Sequence, residues 1–242
     1  MLHLNRLWIL AAIAAGVTAC DDDDDDDIVD PGDERTFTVT IENVSTNNLL
    51  STTRANGTVP LSPGVYAVFT GQNPLFTVGA AADQGTERIA EDGNEAVEAA
   101  AAFGAAVTTH GTFSAPGGAN NSPIIGAGET ATFTFEAEPG DLLQIETMFA
   151  QSNDWFYAFG GEGLALFNGT TPVTGDVTAS IVLYDAGTEE DTAPGTGPDQ
   201  AVVQTAPNTG PADNNTLIRL ASTSGFTIPA TNSVIRVTIT VQ

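Results

Sequence analysis

The chain has 242 residues, and its 31 Asp and Glu stand against 6 Arg and no Lys, a formal net charge of −25. That length holds one sizeable domain or two small ones, and 41% hydrophobic against 15% charged residues describes a globular body rather than a disordered one. The acidic balance excludes nucleic acid and attraction to anionic lipid, both of which need Lys and Arg, and a single Cys excludes a disulfide framework or a cysteine-based zinc site.

Residues 1–20, MLHLNRLWILAAIAAGVTAC, place Arg6 before an apolar run from Leu7 to Ala15. The run is too short to span a bilayer and fits the core of a secretory signal. Its ending, Val17-Thr18-Ala19-Cys20, resembles a bacterial lipobox. That resemblance implies that Cys20 becomes a lipidated mature N-terminus; a plain secretory signal is the alternative. Each buried CH₂ contributes about 0.8 kcal/mol, so two or more acyl chains anchor a protein stably. Mass spectrometry of the mature N-terminus should find acyl mass on Cys20, and an unmodified N-terminus downstream of Cys20 excludes the anchor. Residues 21–34 open with seven consecutive Asp, which repel one another and extend the chain. They read as an acidic linker, a solvated spacer that can also attract calcium loosely.

From residue 35 the pattern becomes period-two. Phe37, Val39 and Ile41 alternate with Thr, which predicts a half-buried strand. Val65, Ala67 and Phe69 repeat the pattern after Pro63-Gly64. Residues 95–103, EAVEAAAAF, are strongly helix-forming, with Asp92 or Asn94 available as the cap. They predict one short peripheral helix. Ala131, Phe133 and Phe135 return to period two, and after the Pro139-Gly140 turn come strands over 142–149, 177–184 and 234–241. Gly, Pro, Asn and Thr fill the connections. The expected fold is all-β, an antiparallel β-sandwich in one domain over residues 35–242.

Carboxylates are the abundant metal-ligand chemistry, and they favour hard cations such as calcium. Two segments place them where a strand pattern stops: residues 148–157, MFAQSNDWFY, and residues 183–191, LYDAGTEED. If the two loops share an edge, Asp154, Asp185 and Glu189 converge, and three such carboxylates repel unless a cation neutralises them. Gly187 lets the backbone turn between Asp185 and Glu189. The alternative is an Asx-type turn with solvated charge.

The same residues carry a family resemblance. Met148, the run Ser152-Asn153-Asp154-Trp155-Phe156, and Tyr184-Asp185-Ala186-Gly187-Thr188-Glu189 resemble the spondin N-terminal domain. So do Pro63-Gly64, Pro74-Leu75-Phe76 and the segment from Ala90 to Asn94. The resemblance runs over nearly the whole body. It implies a C2-like β-sandwich with one Ca²⁺ at a loop edge, as in extracellular-matrix and cell-adhesion proteins of animals and in secreted bacterial proteins. Carried over, the calcium ligands are Asp154, Asp185 and Glu189, the last standing where the family has Asp. Trp155 is expected to pack under the metal loop and hold Asp154.

The expected function is a surface-anchored, calcium-binding adhesion or matrix-interaction domain without catalytic activity. Its partner would be a protein or glycan at the cell surface, and the chain would be exported to a bacterial cell envelope, lipid-anchored or secreted. Two alternatives come from the residues. Trp155, Phe156 and Tyr157 would form the aromatic platform of a carbohydrate-binding module if exposed. Paired carboxylates, or His110 as a general base, would serve a hydrolase, although no Gly-x-Ser-x-Gly elbow accompanies them.

Overall fold

The computed structural model describes residues 34–116 and 123–242. The signal, Cys20 and all but the last residue of the acidic linker lie outside the described residues. In chain order the elements are β1 (Arg35–Asn43), β2 (Leu61–Phe69), α1 (Gln84–Asp92), α2 (Ala96–Ala99), β3 (Val107–Phe113), β4 (Thr130–Ala137), β5 (Leu142–Phe149) and β6 (Trp155–Phe159). Short strands β7 (Leu164–Ala165), β8 (Phe167–Asn168), β9 (Thr171–Pro172) and β10 (Gly175–Asp176) follow. The last are β11 (Ile181–Asp185), β12 (Arg219–Leu220) and β13 (Ile235–Val241). No helix among the described residues is long and apolar enough to cross a membrane.

The strands form an antiparallel β-sandwich. One sheet has the order β10-β13-β1-β4; the other runs β12-β11-β6-β5-β2-β3, with β7 beside β5. In the first sheet the period-two reading holds. Phe37, Val39 and Ile41 are fully buried, and their cross-strand partners are Phe135, Phe133 and Ala131 on β4 and Val241, Ile239 and Val237 on β13. Phe37 stacks on Phe135 with ring centroids 5.6 Å apart. The outer face is a threonine ladder, with Thr38 and Thr134 hydroxyls 3.3 Å apart. Alternation works here because only one face meets the core.

The second sheet is buried on both faces. Trp155, Tyr157 and Phe159 on β6 point between the sheets, while Phe156 and Ala158 point outward to a second core with Phe76, Ile89, Ala90 and Tyr184. Helix α1 covers that outer face. Asp83 caps it, its carboxylate accepting from Thr86 N–H at 2.9 Å, and Gly93 ends it in the left-handed region at φ 62°.

The helix reading is corrected in place and number. The predicted helix over 95–103 shrinks to the single turn of α2, and the main helix lies upstream. Helix propensity separates ordinary residues by at most about 0.7 kcal/mol each. Burying Ile89 contributes about 1.5–3 kcal/mol, so packing outweighs the alanine run. Val97, the largest apolar residue of α2, stays exposed. Asn94 does accept from Ala96 N–H at 3.1 Å. Asp92 instead sits at the end of α1, paired with Arg88 at 2.6 Å.

Candidate metal centre

The β5–β6 connection is a tight turn whose polar side chains are turned inward. Ser152 Oγ donates to Phe149 C=O at 2.7 Å and accepts from Trp155 N–H at 3.0 Å. The turn delivers Asp154 to the interior, with no exposed surface. Strand β11 pairs with β6 so that Asp185 lies directly opposite Trp155. The two loops therefore do share an edge, and Asp154 and Asp185 converge as expected from the sequence.

The chain after β11 wraps Asp154. Ala186 N–H donates to its backbone carbonyl at 3.0 Å. Its Oδ2 accepts from Thr188 N–H at 2.7 Å, Glu189 N–H at 3.0 Å and Thr188 Oγ1 at 3.2 Å. Asp185 Oδ1 accepts from Gly187 N–H at 2.8 Å, an Asx turn. Gly187 has φ +71°, and a Cβ there would meet Asn215 O at 2.6 Å and Leu217 N at 2.8 Å. The sharp turn expected at this glycine is present, and the close backbone approach adds a second reason for it.

The third carboxylate of the cluster is Asp191. Asp154, Asp185 and Asp191 each offer one oxygen, and these three oxygens lie within 4.8 Å of one another, an arrangement able to hold a metal ion. Glu189 is close and buried but is committed elsewhere. Its Oε1 accepts from Gly210 N–H at 2.8 Å and its Oε2 from Asn153 Nδ2 at 3.3 Å. Both oxygens have neutral donors, so Glu189 forms the wall and its main-chain N–H, rather than its carboxylate, serves Asp154. The 190–211 loop contributes Asp191, the residue that the sequence pattern alone did not separate from its acidic neighbours Glu189 and Glu190.

Trp155 packs under the loop as expected, but the acid it holds is Asp191, not Asp154. Its Nε1 donates to Asp191 Oδ1 at 2.6 Å. Trp155, Phe156 and Tyr157 have 0% exposure, so they form no aromatic platform. His110 lies on strand β3, and its ring meets Phe103 edge-on at 4.8 Å.

The electrostatics are those of acids removed from water. Burial pushes Asp154 up to about 7 against the pull of the Thr188 and Glu189 N–H groups. Asp185 is raised by burial and by the charges of Asp154 and Asp191, with Arg219 opposing. Burial also raises Asp191 and Glu189. Helix α1 adds Glu91, pushed up to about 7 by burial, with the Thr188 hydrogen bond opposing and Glu189 adding repulsion. Among the described residues, the cation paired with the aspartates of this group is Arg219. Arg219 Nη2 is 2.5 Å from Asp185 Oδ2 and from Asp213 Oδ2, and 3.7 Å from Asp191 Oδ2. Its contact with Asp185 Oδ2 has ion-pair distance without hydrogen-bond alignment, so that oxygen stays unsatisfied. Asp154 Oδ1 is buried with no partner at all.

Trp155→Phe should expose the value of the indole contact. A hydrogen bond to a charged group contributes about 1.5–3 kcal/mol. Groups that orient metal ligands change affinity by about 10–100-fold. Urea unfolding should show the stability loss, and calorimetric titration should show metal affinity at least about tenfold weaker. Unchanged affinity would mean that Asp191 does not depend on Trp155. No protein-family model matches the chain, and no curated protein matches it either.

Proposed function

We propose that the chain is a lipid-anchored, calcium-stabilised interaction domain of a bacterial cell envelope, non-catalytic and presenting a surface to a protein or glycan partner. The observation that carries the metal reading is the Asp154 carboxylate: one oxygen takes three donors, the other is buried without any. An unsatisfied buried polar atom costs about 1–3 kcal/mol, and more when charged. A cation held by Asp154, Asp185 and Asp191 removes that cost.

The donors are all oxygen, which favours a hard cation. Calcium suits them better than magnesium, because it accepts irregular coordination completed by carbonyls and waters, whereas magnesium demands a tight octahedron. The spondin-like residues 148–156 and 184–189 support the same ion and the same extracellular setting. When bound, the ion supplies charge neutralisation and a cross-link among the β5–β6 turn, the end of β11 and the 190–211 loop. Asp154 and Asp185 have no exposed surface, which supports a structural ion over a hydrolytic pair reaching a polymer.

The test is a calcium titration of the full chain followed by thermal unfolding and by the emission of Trp155. The only other Trp is Trp8, within the signal. A rise in Tm that EDTA reverses supports the reading. No change in either signal at about 10 mM calcium, about tenfold above the weak end of the range for extracellular modules (about 10⁻³ M), overturns it.

A further inference from the structure

We infer that Arg219 is a built-in competitor for the metal: it occupies the carboxylates of the site in the metal-free protein, and a divalent cation displaces it outward. The inference rests on the metal reading of Asp154, Asp185 and Asp191 and concerns how that site is regulated.

The placement is encoded in strand pairing. Arg219 on β12 is the direct cross-strand partner of Asp185 on β11. Its guanidinium has an inner and an outer set of partners. Inside, Nη2 touches Asp185 Oδ2 at 2.5 Å and reaches Asp191 Oδ2 at 3.7 Å, both members of the metal triad. Outside, the same Nη2 donates to Asp213 Oδ2 at 2.5 Å, and Nη1 donates to Asn215 C=O at 2.6 Å and Leu217 C=O at 3.4 Å. The outer contacts are aligned hydrogen bonds, while the inner contact with Asp185 is not. The outer set can therefore hold the guanidinium by aligned hydrogen bonds once the inner contact is given up to an ion. Arg219 keeps 19% of its side chain exposed, so it has solvent on one side to move toward.

A guanidinium and a divalent cation cannot share Asp185 Oδ2, because like charges at contact distance repel strongly in a partly dry site. Metal binding thus requires Arg219 to leave Asp185 and Asp191. Asp213 keeps its charge matched after it leaves. The pairing has two consequences. Without metal, Arg219 offsets part of the repulsion among buried acids and keeps the loops closed. With metal, the same contact is what the ion must break, so the site responds only at higher calcium.

The two roles give opposite signs in one variant. Arg219→Gln in the full chain should bind calcium about tenfold tighter or more, since close charge pairs couple by roughly that much or more. The same variant should melt lower without metal. A purely structural arginine would give weaker calcium binding together with the lower Tm, because the ligands would lose their support. Trp155 emission reads the calcium affinity, and scanning calorimetry reads the Tm. Asp213→Asn supplies the converse and covers a failure of Arg219→Gln to fold: without its outer partner, Arg219 sits harder on Asp185, and calcium should bind more weakly than in the parent chain. Tighter binding in Arg219→Gln supports the inference, and where that variant does not fold, weaker binding in Asp213→Asn supports it and unchanged or tighter binding overturns it. If the parent chain binds calcium and Arg219→Gln binds it equally or more weakly, the competitor role is overturned while the metal site stands. If neither binds, both readings fall together.

Discussion

Calcium should raise the melting temperature of the full chain by about 3–10 °C, and EDTA should return it to the starting value. The magnitude follows from linkage. A ligand at 10–100 times its Kd stabilises the folded state by about 1.4–2.7 kcal/mol. For a domain of this size each kcal/mol moves Tm by about 2–4 °C. Extracellular calcium modules bind at about 10⁻⁴–10⁻³ M, so about 1–10 mM calcium reaches 10–100 times the Kd of a site at the tight end of that range. Magnesium should do less. Asp185→Asn and Asp191→Asn should each remove most of the rise, because each deletes a carboxylate of the cluster that could hold the ion. Glu189→Gln should retain it, because both Glu189 oxygens are already served by Gly210 N–H and the Asn153 amide. That contrast separates the ligand set of the fold from the set implied by the sequence motif. The run of Asp over 21–27 can bind calcium loosely, so the reference is the full chain with Asp154, Asp185 and Asp191 all changed to Asn. If that triple variant shows the same shift, the ion sits elsewhere.

Without metal, the protein should lose stability as pH rises from about 5 to 8. Asp154, Glu91 and Glu98 are pushed up to about 7, and Glu146 is also raised, in each case chiefly by burial. In the unfolded chain these acids titrate near 4. The folded state therefore holds protons that the unfolded state releases. Under that condition stability is fully present below the unfolded values and declines as pH climbs through the folded ones. For Asp154 alone the ceiling is about 4 kcal/mol, and solvent entering the loops reduces it. Calcium should flatten the part of the slope that belongs to the triad, since the ion takes the place of the protons. The part due to Glu98 and Glu146 should persist. These two acids lie between α1, α2 and β5, where Thr86 Oγ1 donates to Glu146 Oε1 at 3.2 Å and Oε2 has no partner. Calorimetric scans at pH 5, 6, 7 and 8, with and without calcium, measure both parts. A metal-free Tm that rises across this range would show that the buried acids are not held protonated.

The two predictions draw on residues of different legibility. Period-two alternation revealed β1 and β4 because each meets the core on one face, so burial writes itself directly into Phe37, Val39 and Ile41 and into Ala131, Phe133 and Phe135. The same rule could not reveal that β6 is buried on both faces. WFYAF favours a core strand over an exposed aromatic patch, but only α1 placed over it shows that both of its faces are covered. Asp154 and Asp185 were legible because each closes or follows a strand and sits in a distinctive local motif.

Asp191, Glu91 and Arg219 were not legible, and the reason is separation along the chain. Asp191 joins the cluster only because the 190–211 loop folds back, tied by Gly195 N–H to Gln151 C=O at 2.9 Å and by Arg54 to Gly197 C=O at 2.7 Å. Glu91 arrives on a helix that propensity placed too late in the chain. Arg219 reaches Asp185 across 34 residues through a two-residue strand that has no period to detect. The sequence by itself determined the β-rich body, the turn at Gly187 and two of the three acids, because those depend on neighbours in the chain. The tertiary structure decided which third acid completes the cluster and which cation faces it, because those depend on strand pairing and on the burial of charge that pairing imposes.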